Sequence, residues 1–377
     1  MGMSEKFQSY LNNIAIYFKK SKSHSIGVDL GSNNLKIVEL QKRGGKIKLK
    51  NYALVKMEKE LSREELRAFS GQMVAKIFKD ISVRGKSANI AIPSYSSLIT
   101  SIEVSGRNDE EIKGEIEYEA AKYIPVDLED VVFDWQIIEP VKEEILEEEE
   151  EEEPVGPLGK KEAEIKKRVL LVSVMKSISD QYQESFEKEG LGIDCIEVDC
   201  FSMKRSLLPG QGGSYLILDI GDKVTNIIGV YNDQILFNQN IDLAGRKITK
   251  LIAKSLKISE ERAEKVKIEQ GFESDSEIVV KNILEPVLNS IVEQAEKNIG
   301  EFEEFKKNPI EGIVLSGGVS QMKGLKDYVQ NKTGKKVVFG NPWSLVEYPE
   351  KLKDQILASS PFFGVAVGLA LIDLIED

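Results

Sequence analysis

The chain is poor in the side chains that most catalytic and metal sites need: one histidine, His24, and two cysteines, Cys195 and Cys200, in 377 residues. Because His24 lies in the leader, Ser-His-Asp and Cys-His catalysis are excluded on inventory, as is a histidine-based metal site. Two cysteines are too few for a disulfide framework and lack the clustered partners of a zinc site, so a reducing compartment is expected. Nor is there an apolar run near the roughly 20 residues that cross a bilayer. The nearest, Phe362 to Ile375, is shorter and is interrupted by Gly364 and Gly368, which predicts a buried helix packed closely on another element. Basic charge is also lacking. A net charge of −12 argues against general nucleic-acid binding, although the glutamate run from Glu147 to Glu153 supplies about half of it.

With 41% hydrophobic and 30% charged residues, the composition is that of a globular chain long enough for two lobes. The most informative stretch runs from Ser25 to Leu40. It reads as an apolar strand ending in Asp29, a turn carrying Gly31, Ser32 and Asn33, and a second strand with Lys36. Successive N–H groups in such a turn suit phosphate oxygens, and an aspartate beside them can hold a hydrated magnesium ion. One such turn is also just a hairpin. The plan recurs, however, in Tyr215-Leu-Ile-Leu-Asp219-Ile-Gly221-Asp-Lys-Val-Thr225, so two Asp-bearing hairpins could close around one polyphosphate. A third element, Gly312 to Leu325, runs from an apolar strand into the paired glycines Gly317 and Gly318 and then a helix, letting a ligand approach the backbone closely.

In these residues the chain resembles the actin-like ATPases, and within them the PilM family of type IV pilus assembly. The narrower likeness rests on Glu117-Tyr-Glu-Ala-Ala-Lys-Tyr-Ile124-Pro125 with the acidic turn and Asp134-Trp-Gln after it. Arg168-Val-Leu-Leu-Val-Ser-Val, Gly190 to Asp199, and Gly368-Leu-Ala add to it, and the likeness covers nearly everything from Ser25 to Ala370. It implies an α/β, two-lobed actin-like ATPase fold with a small α+β insertion subdomain in the first lobe. The implied divisions are a leader at 1–24, subdomain 1A at 25–95 and 168–211, and inserted subdomain 1C at 96–167. Subdomain 2A takes 212–245 and 310–377, and 2B takes 246–309.

Local patterns agree with that plan. Ser62 reads as an N-cap, with Leu66, Phe69, Met73 and Ile77 giving the next helix an apolar face. Asn108 or Asp109 starts a helix that Pro125 ends. The stretch 142–167 cannot bury enough apolar surface to fold by itself and reads as a solvated acidic loop between two strands. The leader has aromatic and aliphatic residues at helical spacing among lysines, which fits either a membrane-surface helix or a helix docked on the body or frayed.

The resemblance implies ATP or ADP with Mg2+. Asp29 and Asp219 flank the magnesium ion, Gly31, Ser32, Asn33, Gly221 and Thr225 cradle phosphates, and Lys36 points either to phosphate or to solvent. Ala263-Glu264-Lys265-Val266-Lys267 matches a family helix beside ribose and base, so Glu264 and Lys267, with Gly317, Gly318 and Met322, form the adenosine side. Asp199 stands where relatives orient the attacking water. It is shorter than Glu or Gln, so at most slow hydrolysis is expected, with nucleotide acting mainly on the angle between lobes. Gln239 stands where many relatives have a cation after the second hairpin.

The family further implies a cytoplasmic scaffold, peripheral on the inner face of the bacterial inner membrane. It would bind the cytoplasmic N-terminal peptide of a PilN-like membrane protein, in a groove involving residues 94–167, alongside other pilus-assembly components. Self-association is left open. The alternative is an FtsA-like membrane-tethered filament former. The acidic end at Leu374-Ile-Glu-Asp377, in place of a basic amphipathic helix, counts against that reading. A sugar-kinase-like enzyme would need an acidic base in a substrate cleft, and the small insertion and the Ile-Pro motif point away from it.

Overall fold

Three alternating segments, β1 (His24–Leu30), β2 (Asn34–Arg43) and β3 (Lys46–Lys56), form an antiparallel meander. The computed structural model describes residues 23–57, 60–106, 109–140, 165–272 and 278–375, so most of the leader and of the acidic loop lie outside the described residues. Helix α1 (Arg63–Asp80) starts where expected. The Ser62 side chain accepts the Glu65 N–H while the Glu65 carboxylate accepts the Ser62 N–H, so two donors without helical partners are satisfied reciprocally. The chain returns as β4 (Ser87–Ile92), parallel to β1.

An insertion follows. Strands β5 (Ser97–Gly106), β6 (Val131–Pro140) and β7 (Ile165–Met175) make a separate sheet in the order β5-β7-β6, with α2 (Asp109–Tyr123) between β5 and β6 in sequence. Its core joins Ile112, Ile116 and Ala120 of α2 to Ile102, Phe133 and Leu171 of the sheet. Helix α3 (Lys176–Glu187), β8 (Gly192–Val198) and α4 (Asp199–Leu207) then return to the first sheet, where β8 pairs in parallel with β4.

The second half repeats the first. Strands β9 (Ser214–Ile220), β10 (Thr225–Tyr231) and β11 (Gln234–Ile241) form another meander. Helices α5 (Gly245–Leu256), α6 (Glu260–Glu269) and α7 (Ile278–Lys306) lead to β12 (Gly312–Ser316), α8 (Leu325–Thr333) and β13 (Val337–Phe339). The second sheet reads β11-β10-β9-β12-β13, which matches β3-β2-β1-β4-β8 strand for strand. The two Asp-bearing strand ends therefore occupy equivalent places in two copies of one architecture.

The last segment departs from the expected division. Strand β14 (Val346–Glu347) pairs with β3, and after α9 (Lys353–Ser359) helix α10 (Gly364–Leu371) packs on the first sheet and not the second, to which 310–377 was assigned. Small residues make that docking possible. A Cβ on Gly368 would fall 1.9 Å from the Ser202 carbonyl oxygen of α4, and one on Gly27 would fall 2.1 Å from the Ala366 carbonyl oxygen. The glycine-interrupted apolar run is thus a buried helix wedged between β1 and α4, as its composition suggested.

Candidate functional site

The two meanders turn their hairpins toward each other, and a cavity lies between them. Asp29, Gly31, Ser32, Asn33 and Lys36 come from the first hairpin and Asp219 and Gly221 from the second. Asp199, Glu264, Lys267, Gly317 and Gly318 complete the wall. Residues separated by almost 290 positions in sequence are brought together by the repeated topology.

Lys36 lies directly across the ladder from Asp29, and its Nζ stands 2.8 Å from Asp29 Oδ2. Facing pairs on one side of an antiparallel ladder share a face, so the lysine points into the cleft and not to solvent. Asp219 has Asn226 as its ladder partner, with the Asn226 amide 3.4 Å from its carboxylate. Burial pushes the Asp219 carboxyl up to about 6; Asp29 adds to that, while Ser316, Lys36 and Asn226 oppose it.

Asp199 opens helix α4 and accepts the Ser94 N–H at 3.1 Å. Burial raises its carboxyl to about 7, helped by the charges of Asp219 and Asp29. Mutually repelling carboxylates at one end of a cleft are chemistry that a divalent cation relieves. Among the described residues no group of three or more ligating side chains is close enough to hold a metal ion directly, so this donor set fits an ion that keeps its water shell.

On α6, the Glu264–Lys267 pair is not an ordinary solvated one. Lys267 is 3% exposed. Its Nζ lies 2.7 Å from Glu264 Oε2, 3.0 Å from Thr249 Oγ1 and 3.3 Å from the Gly245 carbonyl. These use all three ammonium donors, so Lys267 holds Glu264 and the Gly245 turn in place. The paired glycines are required for space. Gly317 has φ 83°, and a Cβ there would fall 2.3 Å from the Ile220 carbonyl oxygen.

Two expected residues stand outside the wall. Thr225 is fully buried, and its hydroxyl donates to the Leu243 carbonyl at 2.6 Å, because strand alternation turns it away from its neighbour Asn226. Met322 is 2% exposed and packs in the core behind Gly271. Gln239 is not in the cleft either: its Oε1 accepts the amides of Gln294 and Asn298. The second turn carries its own cation, Lys223, and Arg246 at the start of α5 stands 2.5 Å from Asp222. Asp222, Lys223, Gly245 and Thr249 were not singled out from sequence. An Ala-Gly-Arg step opening a helix was the visible signal for that turn.

Matching meanders, facing aspartates and a glycine pair just after β12 define a protein of the actin-like ATPase fold. The chain belongs to the family of the type IV pilus assembly protein PilM, whose sequence profile matches residues 27–373. Among solved structures, a PilM-PilN type IV pilus biogenesis complex aligns with a TM-score of 0.76 at 24% identity, covering 93% of this chain and 99% of that one. The ethanolamine utilization protein EutJ from Carboxydothermus hydrogenoformans aligns with a TM-score of 0.54 at 14% identity, covering 98% of this chain and all of that one. Curated relatives include the cell division protein FtsA of Neisseria meningitidis serogroup B, 27% identical over 58% of this chain and 56% of its own length. The chain spans about half or less of such relatives, down to 38% for FtsA of Staphylococcus epidermidis. Among the described residues no single helix is long and apolar enough to cross a membrane.

Proposed function

We propose that this chain is an adenine-nucleotide-binding scaffold of the type IV pilus assembly machinery, working on the cytoplasmic face of the inner membrane. The observation that carries the nucleotide reading is the convergence of two Asp-bearing turns, Lys36, Glu264 and the Gly317-Gly318 pair on one cavity. In this reading Gly31, Ser32 and Asn33 offer backbone and hydroxyl donors to phosphates, Gly221, whose N–H is held by the Val224 carbonyl, lets them approach the second turn closely, Lys36 balances their charge, and Glu264 takes ribose hydroxyls beside the glycine pair. Asp29 and Asp219 would hold a hydrated magnesium ion, which would supply charge neutralisation at the phosphates. Asp199 orients water, and its short side chain keeps any hydrolysis slow. Nucleotide acts chiefly on the lobe angle, since the cleft walls belong to different sheets.

The scaffold reading adds a peptide partner, the cytoplasmic N-terminal segment of a PilN-like membrane protein. A groove suited to an extended chain lies between the inserted sheet and β8, the edge strand of the first sheet. Ile92, Val132, Val174, Ile196 and Val198 give it an apolar lining, and Lys176 and Asp180 add charge. An edge strand beside apolar pockets is a recurrent way of holding an extended peptide. Titration of the full chain with a synthetic PilN N-terminal peptide from the same genome is expected to give saturable one-to-one binding, weakened at least about tenfold by Val132→Asp at the half-buried β6 position of the groove. Absence of binding, with ATP-dependent pelleting instead, would replace the scaffold by the FtsA-like filament.

A further inference from the structure

The two turns that face each other across the cleft touch through one hydrogen bond. Ser32 Oγ donates to Asp222 Oδ2 at 3.1 Å, and the same carboxylate oxygen is held by Arg246 Nη2 at 2.5 Å. Arg246 also pairs with Glu60, which lies just ahead of α1, and Lys223 stands 2.7 Å from the same Glu60 oxygen. A connected chain of side chains therefore runs from the first lobe at Ser32, through Asp222, Arg246 and Lys223 of the second, back to the first lobe at Glu60. The hydrogen bond from Lys223 and the charges of Arg246 and Lys223 hold the Glu60 carboxyl below the usual range, which agrees with a cationic surround.

Asp222 is an odd neighbour for phosphate. It follows Gly221 in the second hairpin turn, where bare backbone amides would favour an anion, and it adds a negative charge instead. Its bond to Ser32 closes the gap between the turns. Arg246, at 19% side-chain exposure, and Lys223 on the cavity wall are occupied by carboxylates of this chain.

We propose that Asp222 is a specificity-determining residue of the cleft: phosphates enter by breaking the Ser32–Asp222 bond, and Arg246 and Lys223 pass from Asp222 and Glu60 to the incoming anion. Binding then exchanges one set of ties between lobes for another, so phosphate affinity and lobe closure are coupled. This rests on the nucleotide reading of the cleft.

The test is calorimetric titration of Mg·ATP into the wild-type chain and the Asp222→Asn, Glu60→Gln and Arg246→Gln variants. Asp222→Asn keeps shape and removes the charge, while Glu60→Gln alters an exposed side chain that pairs with Arg246 and Lys223 but does not line the cavity. Each is expected to tighten binding by about fivefold or more, the low end of ordinary coupling between sites. Arg246→Gln is expected to weaken it. Unchanged or weaker binding in both Asp222→Asn and Glu60→Gln would overturn the proposal, and Glu60→Gln alone decides if Asp222→Asn does not fold. Failure of the wild type itself to bind would instead overturn the nucleotide reading, and this proposal with it.

Discussion

Asp219→Ala lowers affinity for Mg·ATP by about 10- to 100-fold, the usual range for an outer-sphere partner of a metal ion. Asp219, one residue before the end of β9, stands on the cleft wall, and burial raises its carboxyl pKa to about 6. A divalent ion sharing that space lowers the cost of keeping the carboxylate charged. Alanine removes one of the two aspartates proposed to hold the ion's water shell and leaves Asp29 tied to Lys36 at 2.8 Å. The unliganded variant is expected to be no less stable than wild type, because one of three repelling carboxylates has gone. Titration calorimetry beside a thermal melt separates the two effects. Undiminished Mg·ATP binding would show that Asp219 has no part in the site.

Asp199→Asn has its largest effect on stability, one that grows as pH rises from about 4 and is complete above about 7. In the folded, unliganded chain Asp199 takes up its proton near pH 7, against an ordinary aspartate value of 3.8. Between those values the folded state binds more protons than the unfolded one, so stability falls as pH rises from about 4 through 7. Asp219 acts in the same direction up to about 6. Asparagine cannot ionise, keeps an oxygen for the Ser94 N–H, and removes the Asp199 share of that loss. Chemical denaturation without nucleotide should therefore show the variant more stable than wild type by about 2 kcal/mol or more at pH 8, and similar to it at pH 4. Equal stability at both pH values would mean that Asp199 ionises normally.

Much of the architecture was legible because it depends on short-range signals. Alternation and an Asp-Leu-Gly or Asp-Ile-Gly step marked the two hairpins, a Ser-x-x-Glu step marked the start of α1, and Gly317-Gly318 marked a turn that only glycine fits. Side-chain direction was harder. Lys36 was open between phosphate and solvent until the ladder register set it opposite Asp29. Thr225 was placed in the site, but strand alternation turns its hydroxyl to Leu243.

Which elements would meet over long range was only partly legible: the facing hairpins and a closely packed last helix were, its partner was not. The return of β14 and α10 to the first sheet depends on the close approach of Gly368 to α4 and of Gly27 to α10, which no local pattern specifies. The tie from Ser32 to Asp222 spans 190 positions. Gln239 was read as the residue in place of a cation because the chain was followed along β11, whereas the fold brings Arg246 to the turn from the start of α5.

The most direct measurement is titration of the full chain with Mg·ATP, repeated with excess EDTA and with Asp29→Ala. Expected is saturable binding at one site per chain, strongly reduced without magnesium and in the variant. A folded chain that takes up no adenine nucleotide, with or without magnesium, would contradict the reading of the cleft as a nucleotide site.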